Sequence, residues 1–507
     1  MTDDDQSAVM AFLADPATHG GQPVRRIDTH AAAVFLAGPR ALKIKRAVRF
    51  PFLDFSTLAR RKAACEAELA VNRPYAPAVY RRVVAISREA DGRLSLGGAG
   101  EPVEWAVEMN RFDENATLDR VPEKIDTGLA DALGRAVAQA HARAPVAQGF
   151  GFADVLSEIA AQNEAELVAE PALFAPDAVR DLAEKTRDAL ARLRPLLTAR
   201  ERAELVRRCH GDLHLGNIVL IDGKPTLFDA IEFDERIATG DVFYDLAFLL
   251  MDLIERGLAP AATVVLNRYL AETRRDSDLD ALAALPLFMS VRAAIRAKVT
   301  AARRRYAADP AEAAQSARDY LAWAARLIAP PAPRLIAVGG LSGTGKSLLA
   351  RALAPQVAPL PGAVWLRSDV ERKALFGVAE GERLPPEAYV RDVTARVYAT
   401  LIEKARRVLA AGHSAIVDAV FAEPAERAAV ATAAAGAGAA FDGLFLTADL
   451  ATRIARVGDR VHDASDADAA VARKQEEYDL GALDWRQVDA SGTPAETLHR
   501  ALAALRL

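Results

Sequence analysis

Gly340-Leu341-Ser342-Gly343-Thr344-Gly345-Lys346-Ser347 is a complete G-x-x-x-x-G-K-[ST] string. Its glycines let backbone N–H groups turn inward around phosphate oxygens. A helix that starts at its end adds partial positive charge. Arg334-Leu335-Ile336-Ala337-Val338 precedes it as a short strand candidate, and Leu348–Leu353 follows as a helix. That strand–loop–helix setting is what a phosphate cradle needs. Gly340, Ser342, Gly343, Thr344 and Gly345 are expected to line it, Lys346 to reach the β/γ-phosphates, and Ser347 to hold Mg²⁺.

Working outward, Ala329-Pro330-Pro331-Ala332-Pro333 stands just before the strand. Prolines so dense cannot continue a helix and favour an extended spacer. The chain is therefore divided into residues 1–329, a linker at 330–333, and residues 334–507. A length of 507 residues fits more than one hydrophobic core. After residue 334 strands alternate with helices, which predicts a parallel α/β sheet with helices on both faces.

Three further segments of this half can carry chemistry. Arg367-Ser368-Asp369-Val370-Glu371-Arg372 lies at the end of the second strand candidate, where ligands of such sheets bind. A carboxylate there can accept a hydroxyl proton, but Ser368 or Asp369 serves equally as a helix cap. Asp418 closes the third strand candidate, as a metal- or acceptor-orienting group or as a turn residue. Arg453, Arg456 and Arg460 share a helical face, either over the transferring phosphoryl group or toward solvent. With these residues the half resembles the P-loop kinases of small molecules and polynucleotide 5′-ends, within the group often labelled AAA-like ATPase domain. The resemblance implies Asp369 as general base, Arg372 as acceptor or phosphate contact, and Arg456 or Arg460 as the lid arginine.

In the first half, His210-Gly211-Asp212-Leu213-His214-Leu215-Gly216-Asn217 precedes two strand candidates, Ile218–Ile221 and Pro225–Phe228, the second ending at Asp229. An Asp, an Asn five residues on, and an Asp past a hairpin supply a base and oxygen ligands for Mg²⁺. By chance the H-G-D-x-x-x-x-N string arises in roughly 1 of 500 chains of this length. Residues 25–325 resemble the aminoglycoside phosphotransferase/choline kinase group, relatives of the protein kinases, which implies a bilobal kinase-like fold. The resemblance implies Asp212 as base, Asn217 and Asp229 as Mg²⁺ ligands, His210 as orienter of the loop, and Asp245 as scaffold. It further implies a phosphate-binding lysine in Ala41-Leu42-Lys43-Ile44-Lys45, with Lys43 favoured over Lys45. The lysine's helical glutamate is Glu68 in preference to Glu66, and adenine is expected near Glu108-Met109-Asn110. The nucleotide-covering segment Thr29–Phe35 departs from the group because it contains no glycine. The fused arrangement is similar to the bacterial proteins called bifunctional aminoglycoside phosphotransferase/ATP-binding proteins.

Composition narrows the classes. Lys plus Arg number 64 and Asp plus Glu 69, a formal charge of −5, so no net basic field attracts nucleic acid. Two cysteines, Cys65 and Cys209, form neither a disulfide framework nor a metal cluster. No apolar stretch suits a membrane span and the start is acidic, which points to the cytoplasm. The expected function is ATP-dependent phosphoryl transfer, with Mg²⁺, to hydroxyls of small molecules at two sites. The competing readings are a sensing ATPase with one catalytic domain and a polynucleotide 5′-hydroxyl kinase. The acidic stretch Glu232-Phe233-Asp234-Glu235 reads either as attraction for a cationic acceptor or as a solvated loop.

Overall fold

The alternating and continuous apolar runs become two different kinds of sheet. A computed structural model describes residues 5–50, 53–304, 307, 309–458 and 464–507. Its contacts group into two compact units, one of residues 1–158 with 197–252, the other of 159–196 with 253–507.

The first unit holds a six-stranded antiparallel sheet: β1 (Val24–Asp28), β2 (Ala32–Ala37), β3 (Arg40–Lys45), β4 (Tyr80–Arg88), β5 (Leu94–Leu96) and β6 (Glu101–Asn110). Their spatial order is β1-β2-β3-β6-β4-β5. Ala37 pairs with Arg40, so Gly38 and Pro39 alone turn β2 into β3. Helix α1 (Leu58–Asn72) is capped by Thr57, whose hydroxyl accepts the Arg60 N–H. One face of the sheet packs Phe35, Leu42, Ile44, Val84 and Ile86 into a core. The other packs Leu36, Ala41 and Val107 with Cys65, which α1 supplies. Beyond the sheet come the hairpin β7 (Ile218–Ile221) and β8 (Lys224–Leu227), then α2 (Val242–Glu255). Cys65 and Cys209 are both buried.

The second unit holds five parallel strands, β9 (Arg334–Gly340), β10 (Val364–Arg367), β11 (Ala415–Asp418), β12 (Ala440–Thr447) and β13 (Arg486–Asp489), in the order β10-β11-β9-β12-β13. Leu335, Ile336, Ala337 and Val338 are all fully buried, so both faces of β9 are covered. One face packs Ile336, Val338, Ile416, Leu444 and Leu446 against Leu349 and Leu353 of α5 (Lys346–Leu353). Strand β13 has no counterpart in the sequence expectations. The same unit contains helices α3 (Ala259–Thr273) and α4 (Asp276–Ala281). Among the described residues, no helix is long and apolar enough to cross a membrane.

Candidate functional sites

In the first unit, Lys43 and Lys45 sit two residues apart on β3. Both reach Glu68 of α1, Lys43 at 2.8 Å and Lys45 at 2.6 Å. Glu68 is fully buried, whereas Glu66 is exposed and faces Lys62 one turn away. Lys43 also meets Asp229 at 2.8 Å, and Lys45 pairs with Glu232. Burial alone would raise the Glu68 carboxyl, but the two ammonium groups outweigh it and hold it below the usual carboxylate range. Burial likewise opposes the Lys43 charge, and Asp229 and Glu68 overcome it, placing that lysine well above its ordinary value. The two lysines thus divide the work: Lys43 touches the candidate metal ligand, and Lys45 ties down the chain three residues beyond it.

Asp229 itself adopts a left-handed backbone with φ 61°, uncommon for a residue with a Cβ. The next residue is clamped by α1: the Ala230 N–H donates to Asn72 Oδ1 at 2.7 Å, and Asn72 Nδ2 donates to the Ala230 carbonyl at 3.1 Å. Across the site, Asn217 Nδ2 donates to the Asp212 carbonyl at 2.9 Å and to its carboxylate at 3.0 Å. The hairpin explains this convergence: the Ile218–Leu227 register returns the chain so that Phe228 N–H meets the Asn217 carbonyl.

Helix α2 holds the loop from beneath. Asp245 accepts the backbone N–H groups of His210 and Gly211 and meets His141 Nε2 at 3.1 Å. Asp252 accepts the Leu215 N–H at 2.9 Å. His210 is buried against the Phe228 carbonyl at 2.9 Å, and burial lowers its pKa. Neither Asn72 nor Asp252 was found from sequence. Their i+4 and i+7 spacings from Glu68 and Asp245 were the available signals. Met109 falls inside β6, registered with Ala41 and Tyr80. Of the acidic stretch, Glu232 is consumed by Lys45, and Asp234 caps a short helix through the Arg236 and Ile237 N–H groups.

In the second unit the 340–347 loop has positive φ at Gly340, Gly343 and Gly345. A Cβ at Gly343 would lie 2.5 Å from the Arg453 carbonyl, so only glycine permits that approach. Lys346 Nζ donates to the Leu341 carbonyl at 3.2 Å, folded over the loop. Ser342 forms the outer wall: its N–H donates to Gln475 Oε1 at 2.6 Å, and its carbonyl accepts Arg453 Nε at 3.0 Å.

Asp418, at the end of β11, is buried, and Ser347 is among the groups that favour its charged form. Burial raises its pKa against the pull of Lys346 and Arg367. Its Oδ2 is buried, has no hydrogen-bond partner among the described residues and lies 3.8 Å from Arg367 Nε. A buried carboxylate oxygen beside a serine hydroxyl suits a hard cation, and Mg²⁺ fits this donor set. The oxygens of Asn217 and Asp229 in the first unit fit it as well.

Asp369 stands in the first turn of α6 (Ser368–Leu375) and is partly exposed. Arg372, on the same helix, is buried, with Nη1 on the Ala388 carbonyl at 2.7 Å and its guanidinium 5.0 Å from the Tyr389 ring. Of the arginine row, Arg453 reaches the phosphate loop. Arg456 donates to the carbonyls of Ala490, at 2.7 Å, and Gly492, at 2.6 Å, and so braces the turn after β13 instead. Arg460 lies outside the described residues.

Each unit therefore presents a nucleotide-type site: one built around a lysine–glutamate pair and the 210–217 loop, the other around the glycine-rich 340–347 loop. The chain is an ATP-dependent phosphotransferase with two nucleotide sites. Residues 39–285 match the Phosphotransferase enzyme family, and residues 335–478 match the AAA domain family. Uncharacterized protein Rv2004c of Mycobacterium tuberculosis and uncharacterized protein Mb2027c of Mycobacterium bovis are each 31% identical over 494 residues, covering 94% of both chains. The chain belongs to their family. Among solved structures, a gluconokinase from Sinorhizobium meliloti is 22% identical and covers 34% of this chain and 92% of its own, with a TM-score of 0.26. A choline/ethanolamine kinase family protein from Mesorhizobium loti is 15% identical and covers 62% of this chain and 97% of its own, with a TM-score of 0.37.

Proposed function

We propose that each half transfers the γ-phosphoryl group of ATP to a hydroxyl of a small molecule, in the cytoplasm where ATP is made. The observation that carries this reading is the meeting of Lys43, Glu68 and Asp229, residues up to 186 positions apart, at 2.8 Å separations. A surface charge cluster has no need of a fully buried glutamate. In the first half Asp212 accepts the proton of the incoming hydroxyl while its oxygen attacks the γ-phosphorus and ADP leaves. Lys43 balances phosphate charge, and Glu68 fixes its ammonium. In the second half Asp369 is the base, and Lys346 with the loop N–H groups grips the phosphates. Asn217 and Asp229 in one half, and Ser347 and Asp418 in the other, would hold Mg²⁺, which when bound neutralises charge on the β- and γ-phosphates. Arg456 is left out of this scheme because carbonyls occupy its guanidinium, and Arg372 is assigned to shaping the acceptor side.

The test uses the full chain with ATP, Mg²⁺ and a mixture of polyols, sugar acids, amino alcohols, nucleosides and a 5′-hydroxyl oligonucleotide, read by mass spectrometry. Asp212→Asn and Lys346→Met are each expected to remove a different phosphorylated product. ATP consumption that yields only inorganic phosphate in the wild type sinks the reading in favour of a sensing ATPase. Product on the oligonucleotide alone does so in favour of an end-processing kinase.

A further inference from the structure

Strand β10 is the edge of the parallel sheet, paired through Val364↔Ala415 to Arg367↔Asp418 on one side only. An edge strand leaves a row of backbone groups unpaired. Here a side chain pairs them. Asn267 of α3 accepts the Trp365 N–H at 2.7 Å with its Oδ1 and donates its Nδ2 to the Ala363 carbonyl at 3.1 Å. Its amide stands where the peptide group of a further strand would stand.

The neighbouring contacts show that this is a built junction. One turn earlier on α3, Thr263 Oγ1 donates to the Pro361 carbonyl at 2.5 Å. A Cβ at Gly362 would lie 2.6 Å from that hydroxyl, so the strand's approach requires glycine. Arg268 pairs with Glu380 at 3.2 Å. Asp276 and Asp280 of α4 both meet Arg407, each at 3.1 Å, on α7 (Arg391–Ala410). Helices α3 and α4 fall in the stretch matching the phosphotransferase family, and β10 falls in the stretch matching the AAA domain. They nevertheless lie in one compact unit.

We propose that Asn267 is a positioning residue for the phosphate-cradle site: a helix of the phosphotransferase half completes the edge of the other half's sheet and fixes the strand that delivers Asp369. Arg367, which faces Asp418, and Asp369 follow Trp365 by two and four residues, with no intervening loop to absorb a shift. The proposal rests on the reading of Asp369 as the base. It supplies a physical reason for the fusion, because a cradle domain cut at the proline linker loses its edge partner.

The experiment uses the full chain in an Asp212→Asn background, which silences the first site. Asn267→Leu keeps the volume and removes both hydrogen bonds. Asn267→Asp keeps the acceptor for the Trp365 N–H and loses the donor to Ala363. In Asn267→Leu the amides of 364–367 are expected to exchange with solvent at least tenfold faster. MgATP consumption, with water as the probe acceptor, is expected to fall about tenfold. MgATP affinity should stay within twofold, because the grip on phosphate belongs to β9 and α5. Asn267→Asp is expected to recover part of both losses. Turnover of the first site, followed in a Lys346→Met background, should not change. Unaltered exchange at 364–367 overturns the proposal, as does faster exchange with unaltered turnover, or an equal fall in turnover and affinity. Asp369→Asn run in parallel separates the two claims. If it keeps wild-type turnover, the reading of Asp369 is what fails, and exchange at 364–367 still decides whether Asn267 holds the strand.

Discussion

Replacing Glu68 by Gln tests the buried charge cluster most directly. The change preserves shape and removes one negative charge from between two ammonium groups. The side chain of Lys45 is 3% exposed and that of Lys43 16%, so water cannot replace the lost partner. Breaking a buried ion pair by removing one member costs about 3–5 kcal/mol. Lys43 keeps Asp229 and Lys45 keeps Glu232, which places the expected loss near the lower end, about 3 kcal/mol. That corresponds to roughly two decades in an opening equilibrium. Hydrogen exchange at the amides of β3 and α1 reads it, and MgATP binding to the first site should weaken in the same variant. The pH dependence has a definite sign. The Glu68 carboxyl is held below its ordinary range, so its stabilisation is present above the unfolded-state value and is lost as pH falls toward the depressed one. In Glu68→Gln that acid-dependent part should vanish. The matched control is Glu66→Gln, whose exposed 3.7 Å pair with Lys62 should matter by less than about 0.5 kcal/mol. An exchange increase below tenfold in Glu68→Gln, or equal effects of the two variants, refutes the reasoning.

Three further outcomes are expected. Asp369→Asn should bind MgATP normally at the second site but lose transfer about 100-fold, whereas Lys346→Met should lose binding; calorimetry and turnover in an Asp212→Asn background tell them apart, and full turnover by Asp369→Asn counts against a kinase. Asn72→Ala removes both hydrogen bonds on Ala230 and should raise the Mg²⁺ concentration needed for ATP binding at the first site about tenfold; metal-free ATP binding should hardly move, and an equal loss of both would mean general damage. Burial holds the His413 ring, hydrogen-bonded to the Gly362 carbonyl, down at about 4. Its contribution, about 3 kcal/mol at most, is present above the ordinary histidine value and should be lost as pH falls through about 4. The urea midpoint of the wild type should fall relative to that of His413→Gln as pH goes from 7 to 4.

Contiguous signals were legible in the sequence. The glycine-rich loop carries its glycines, lysine and serine within eight residues, and the stretch from His210 to Asn217 likewise holds candidate base and candidate metal ligand together. The β7–β8 hairpin followed from its two strand candidates, because the forces that set a hairpin act between near neighbours. Strand β13 escaped because it is short and three of its four residues are polar and exposed, which leaves little apolar pattern.

What the sequence by itself determined was the two nucleotide sites and the fold class of each half. Only tertiary structure decided how long side chains are shared out. Lys43 and Lys45 look alike on β3, and their difference comes from Asp229 and Glu232, nearly two hundred residues away. Arg453 and Arg456 lie on one short helix, yet the first meets the phosphate loop and the second the turn after β13. The match to the phosphotransferase family runs to residue 285, but packing divides the chain earlier, since α3 and α4 belong to the same compact unit as the parallel sheet. The physical reason is common to all three. A helix or turn is set by interactions a few residues apart, whereas the partner of a guanidinium, an ammonium or an open sheet edge is whatever the folded chain brings within about 3 Å.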